Sequence, residues 1–161
     1  MIADSEYRLH EMPLSAGWGA LAGALASAAM LLLLVILAPM GGRSAADILS
    51  AAGALFSRAS QTQTILGALI HVITGALLGV LHAVSQHQTT LKGYLGTGIF
   101  YGAAIWIFGN LLAGAALPAA GALLSHWSWL AATFLYGLVL GAGAAWVDGR
   151  RPQDVLIVPK D

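Results

Sequence analysis

Three polar side chains stand within otherwise apolar stretches: His71, His82 and Asn110. An imidazole held away from water can relay a proton, ligate a metal or contact a bound molecule. His71 and His82 are eleven residues apart, about three helical turns, and so share one face of a helix. Gly75 lies on that face and Gly79 near it, which points the face towards neighbouring helices. His71 is seven residues inside one end of its apolar stretch, and Asn110 is seven inside the corresponding end of the next. The connection between the two stretches is tight, so they should be antiparallel neighbours with these residues at one depth. A His71–Asn110 hydrogen bond is the expectation. His82 matches the depth of Thr97 in the same way, near the opposite end.

Two uses are open for these groups. They can satisfy one another and fix helix register, a role in which an interhelical hydrogen bond contributes about 0.6 kcal/mol on average. Or they form a proton-accessible or ligand-contacting site at membrane depth, as a small transporter or channel would require. A tetrapyrrole is a further option. His71 and His82 are about 16 Å apart along one helix, so they cannot take the two faces of one haem iron. His10 and His87 lie outside the apolar stretches, whereas His126 begins the last of them at a depth close to His71. A His71–His126 haem is therefore geometrically open, as is a chlorophyll-type magnesium or a quinone at a single histidine.

Enzyme chemistry finds little to work with. The chain has no cysteine, which removes thiolate zinc sites, iron–sulfur clusters and cysteine nucleophiles. No carboxylate pair lies in an apolar stretch, and G-x-S-x-G, H-E-x-x-H and phosphate-loop patterns are absent. The run GTGIFYG at 96–102 has glycines at loop-like spacing, but it opens an apolar helix and reads as a packing surface. Neither a resident metal nor a catalytic residue is expected.

The elements that must position these groups follow from charge. Only 9% of the 161 residues are Asp, Glu, Lys or Arg, against about a quarter in a soluble domain. All fourteen charges fall outside four apolar windows, at about 14–39, 64–86, 93–117 and 127–147. Each window is long enough to cross a bilayer as a helix, and none alternates as a barrel strand would. The expected fold is all-α: one membrane domain over 1–161, a four-helix bundle whose partner is the lipid bilayer. The N-terminal segment carries Asp4, Glu6, Arg8 and Glu11, unlike a signal peptide, so the first window is read as a retained span. Five Lys/Arg fall on the side shared by both tails and two on the other. That bias places both termini in the cytoplasm of a multi-pass inner-membrane protein. The net charge is zero without a basic patch, which argues against nucleic acid.

Between the first two windows, Ser44 and Asp47 form a capping pattern ahead of Ile48, Leu49, Ala52, Leu55 and Phe56. A short amphipathic helix over about 45–58 is expected, either lying on the membrane surface or capping the bundle mouth. The tail 148–161 should run extended, with Val155–Val158 apolar enough to dock. Small residues recur four apart in every window: Gly19/Gly23, Gly75/Gly79, Gly98/Gly102 and Gly137/Gly141. Such spacing lets helices associate closely in lipid, where apolar burial gives no net drive. The second and fourth windows, TGALLGVLHAV and YGLVLGAGAAW, look like copies, which suggests a two-plus-two hairpin repeat.

The segment LIHVITGALLGVLHAV, with the glycine-rich GTGIFYGAAIWIFGNLLAG after it, resembles small uncharacterised bacterial inner-membrane proteins of four helices. The matching positions are His71, Gly75, Gly79, Gly98, Gly102 and Trp106. The resemblance implies a helical membrane bundle and no particular activity. On these grounds the chain reads as a non-catalytic membrane component, an accessory or assembly subunit of a larger complex or a homo-oligomer. The transporter and cofactor-binder readings stand as alternatives.

Overall fold

The computed structural model describes residues 16–54, 56–86, 90–116 and 126–149. The expectations for His10, His87, the connection before residue 126 and the docking tail at 155–158 lie outside them. Among the described residues the chain is helical, with no strand. Helix α1 is Ala16–Leu37, α2 Ala45–Gly53, α3 Ser60–Val84, α4 Leu91–Ala116 and α5 Trp127–Asp148. The four long helices are apolar and long enough to cross a membrane. A helix is the natural state of such sequence in lipid, because it satisfies every backbone polar group within the segment.

The ends have local causes. Helix α1 tightens into a 3-10 turn, Ala38–Gly41, with Pro39 in its first positions, where no amide hydrogen is needed. Gly42 closes the turn at φ 70°, a left-handed conformation that costs glycine little. Ser44 then caps α2: its Oγ accepts from the Asp47 amide at 3.2 Å, and Asp47 Oδ2 accepts from the Ser44 amide at 2.8 Å. His126 caps α5 through Nδ1, which accepts from the Ser128 amide at 3.3 Å.

The amphipathic helix spans Ala45–Gly53, shorter than the expected 45–58. It packs on the first turns of α3. Gly53 and Gly67 allow this, since a Cβ at either would run into the backbone of Gln63 or Leu49. In this position Ile48, Leu49, Ala51 and Ala52 roof one end of the space between α3 and α4. Its capping box sets a pH dependence. The Asp47 carboxyl is held below its ordinary value of 3.8, first by the Ser44 backbone amide and then by the Ser44 hydroxyl. A lowered folded-state value means the cap contributes fully above the ordinary carboxylate range and is lost as pH falls through the lowered value. Amide exchange over 45–53 should therefore accelerate at acidic pH relative to α3, and Asp47→Asn should remove that difference.

The long helices pair antiparallel within each half of the chain: α1 with α3, and α4 with α5. Gly19 and Gly23 meet Gly75, Gly79 and Ala83, while Gly98 and Gly102 meet Gly137, Gly141 and Thr133. At each of these glycines a side chain would strike the partner's backbone or its first carbon. The halves join through α1 and α5, whose seam is filled by Ala26, Met30, Leu34, Ala132, Tyr136 and Leu140. The spatial order is thus α3–α1–α5–α4. One expectation is corrected here: α3 and α4 are not packed neighbours, although a short connection joins them. Their glycine faces are already used on α1 and α5, and the bulkier Ile70, Leu78, Ile105 and Phe108 line the space between them.

A lateral cavity between α3 and α4 as candidate functional site

The open seam forms a cavity of about 630 Å³. Helices α3 and α4 are its side walls, and Ile48, Leu49, Ala51 and Ala52 of α2 roof one end. Ser27 and Met30 of α1 and Trp129 and Tyr136 of α5 make its back. Phe108 and Leu112, both more than 60% exposed, stand at the rim, so the cavity opens sideways, where lipid would lie. Gly109 lines it as well, and a Cβ there would meet nothing within 4 Å.

The back wall is built by two hydrogen bonds onto α3. Ser27 Oγ donates to the His71 carbonyl at 3.0 Å, and Tyr136 Oη donates to the Gly75 carbonyl at 2.6 Å. Gly75 has no side chain to cover its carbonyl, so the buried tyrosine can reach it from α5. These bonds hold the middle of α3 against the two central helices. The His71 ring lies edge-on to Trp129, with centroids 6.3 Å apart and planes at 63°. His71 Nε2 and Trp129 Nε1 are both buried and have no hydrogen-bond partner in the protein. Both residues line the cavity, but neither nitrogen is exposed on its surface. Trp106 Nε1, on α4, is a third buried atom without a partner, but Trp106 does not line the cavity.

The expected His71–Asn110 hydrogen bond is absent. Asn110 Nδ2 donates at 2.8 Å to the carbonyl of Trp106 in its own helix. The pairing assumed that α3 and α4 touch, and the cavity separates them. His82 and Thr97 do come together, through Gln86. Gln86 Nε2 donates to Thr97 Oγ1 at 2.8 Å and lies 3.0 Å from His82 Nε2. Both protons of one amide serve the two acceptors when the His82 proton sits on Nδ1. The His82 ring also stands edge-on to Tyr101 at 5.2 Å. This cluster closes the α3–α4 connection at the end opposite α2. Gln86 was legible as a polar residue next to the turn; its partners were not.

His126 is placed apart from the cavity. Its ring lies over Gly41, where a Cβ would collide with it, and Nδ1 is engaged by Ser128. Trp129, Tyr136, Ser27 and Gly109 were not singled out as site residues. Trp129, Tyr136 and Ser27 are ordinary members of apolar or small-residue helix faces, so only the cavity distinguishes them. Among the described residues, no three His, Cys, Asp or Glu side chains converge to hold a metal ion. No curated protein and no solved structure matches the chain. A sequence family described as a family of unknown function (DUF6789) matches residues 14–155, nearly the whole chain and every helix described above. The protein is therefore a helical membrane-bundle member of the DUF6789 family.

Proposed function

We propose that the protein is a non-enzymatic membrane component that takes a lipid-soluble molecule from the bilayer through the α3–α4 gap and holds it against His71 and Trp129. The cavity carries this reading. Its volume of about 630 Å³ falls within the range of about 300–1,000 Å³ found for small-molecule sites. Its walls are almost wholly apolar with a few polar residues among them, as in small-molecule sites. A lateral opening suits a molecule that partitions into lipid. Such a binding component would serve as an accessory subunit of a larger complex. The Lys/Arg distribution supports a cytoplasmic-membrane location with both termini inside.

A transport path through His71 and Asn110 draws no support from their placement, since Asn110 bonds back to its own helix. A haem on His71 and His126 draws none either, because the His126 ring lies over Gly41 and does not line the cavity. The test is purification from native membranes in mild detergent, followed by solvent extraction, mass spectrometry and an absorption spectrum. The expected result is one lipid-soluble molecule near stoichiometric amount, enriched over the bulk membrane. An extract holding only phospholipid in bulk proportions would overturn the reading.

A further inference from the structure

We propose that the α3–α4 seam closes: the α4–α5 pair swings towards α3 about the Gln86–Thr97 end until Gly109 meets Thr74, so that the open crevice is one of two states of the bundle. Closure would expel the occupant of the crevice, and that consequence rests on the reading that a lipid-soluble molecule sits there. The motion itself follows from how the two halves are built. Gly19 of α1 meets Gly79 and Ala83 of α3, and Gly98 of α4 meets Gly137 and Gly141 of α5. By these contacts α1 corresponds to α4 and α3 to α5, with Gly79 matched to Gly137. The sequence likeness of TGALLGVLHAV and YGLVLGAGAAW sets Gly75 there instead, one turn away. The α3–α4 seam is then the counterpart of the α1–α5 seam. A head-to-tail contact between two like units closes into a ring once the rotation at that contact is complete. Here the first seam is packed and the second stands open.

The correspondence holds residue by residue. Met30 is eleven residues after Gly19, as Gly109 is after Gly98. Tyr136 directly precedes Gly137, as Leu78 precedes Gly79. Ala26 and Ala132 correspond in the same way to Ile105 and Thr74. The first member of each pair fills the packed seam, and the second lines the crevice. Glycine thus stands where the packed seam has methionine, and leucine where it has tyrosine.

Thr74 and Gly109 face one another in level. Each is eight residues from the ring contact between His82 and Tyr101, along antiparallel helices. Thr74 is exposed, and among the described residues no side-chain hydrogen bond holds its hydroxyl. A Cβ at position 109 would meet nothing within 4 Å, so the α4 backbone is bare there. The bundle already makes both kinds of contact that closure would add. Gly102 of the same helix packs on the Thr133 backbone, and the Ser27 and Tyr136 hydroxyls each donate to a carbonyl of another helix. Close packing and interhelical hydrogen bonds drive helix association in lipid. At Thr74 and Gly109 both stay unmade while the seam is open. The pivot is the end where Gln86 bonds Thr97 and His82 meets Tyr101. Swinging of rigid helix pairs about such an end is an ordinary hinge motion, and an occupant of the open state alone shifts the balance towards it.

The test is distance measurement by pulsed electron paramagnetic resonance on the full-length protein. The chain has no cysteine, so spin labels go only where a cysteine is introduced. Leu69→Cys with Leu111→Cys reads the free end of the seam, and Leu81→Cys with Phe100→Cys reads the pinned end; all four residues are exposed and outside the crevice lining. The protein is washed in detergent to remove native lipids and placed in nanodiscs of synthetic phosphatidylcholine. The 69–111 distribution should contain a component several ångströms shorter than the open structure gives, while the 81–100 distribution stays single. Gly109→Met, which sets at this position the residue of the packed seam, should reduce the shorter component about tenfold, as an overpacked helix contact implies, and leave the 81–100 distance unchanged. Thr74→Cys with Gly109→Cys gives an independent reading, because a disulfide needs Cα atoms within about 7 Å; mild oxidation should cross-link this pair. A single 69–111 distance at the open value, without a cross-link, would overturn closure and leave the ligand reading standing. A shorter component that persists undiminished in Gly109→Met would overturn the Gly109–Thr74 contact and the proposal with it. The bound molecule is read separately, by extraction of protein from native membranes. Its absence beside a shorter component would overturn the ligand reading and leave the closure in place.

Discussion

Gly23→Leu should separate α1 from α3 and lower the thermal midpoint of the detergent-solubilised protein by about 5–10 °C or more. A Cβ at position 23 points into the Gly75 carbonyl and comes within 2.9 Å of the Gly79 Cα. Both obstacles are backbone, so no rotamer change relieves the clash. Overpacking usually costs about 1–3 kcal/mol, and a backbone obstacle belongs at the upper end. For a chain of this length each kcal/mol moves the midpoint by about 2–4 °C. Gly96→Leu is the matched control: the glycine is exposed and a Cβ there meets nothing within 4 Å. Leucine at that site should be neutral or slightly stabilising, because glycine is the poorer helix former by about 0.8–1 kcal/mol relative to alanine. Similar losses at positions 23 and 96 would mean that the glycine crossing does not hold the first pair together.

Gly109→Phe should leave the fold intact and remove the bound molecule. Gly109 lies in α4 facing the cavity, with open space where its side chain would begin. The ring would enter the volume assigned to the ligand without moving backbone. Two effects then oppose each other. The ligand-free protein should gain up to about 1 kcal/mol from the loss of a helical glycine. The ligand-dependent stabilisation should vanish, a loss of about 2.7 kcal/mol at a ligand concentration one hundred times the dissociation constant. In thermal scans, added ligand should raise the midpoint of the unmodified protein and leave that of the variant unchanged. Mass spectrometry should show the extracted molecule reduced at least tenfold. A variant that keeps its ligand and its ligand-dependent shift would place the binding site elsewhere.

Much of the architecture was legible because lipid leaves a chain few options. Charges are confined to the ends and connections, so the four long helices follow from where Asp, Glu, Lys and Arg do not occur. The Ser44–Asp47 capping box was equally clear, since a cap is a local interaction spanning three residues. The glycines at 19, 23, 75, 79, 98, 102, 137 and 141 could be picked out by spacing alone. Their spacing does not name their partners. Chain proximity suggested that α3 packs on α4, and the His71–Asn110 pair was drawn from that assumption. The pairing by glycine faces puts α1 and α5 at the centre instead.

The sequence by itself thus determined a membrane bundle whose spanning stretches carry no charge, its helices and the capped start of α2, all of which depend on composition or on contacts a few residues apart. Only the tertiary structure decided which helix faces meet and, through that, which seam stays open. Small residues permit close approach but are alike in all four helices, so the choice among them lies in the complementarity of whole surfaces. The cavity follows from that choice. His71 was marked from the start by being polar in an apolar stretch. Trp129, Tyr136 and Gly109 gained a role only when folding brought them to the same wall, or the opposite side, of one space.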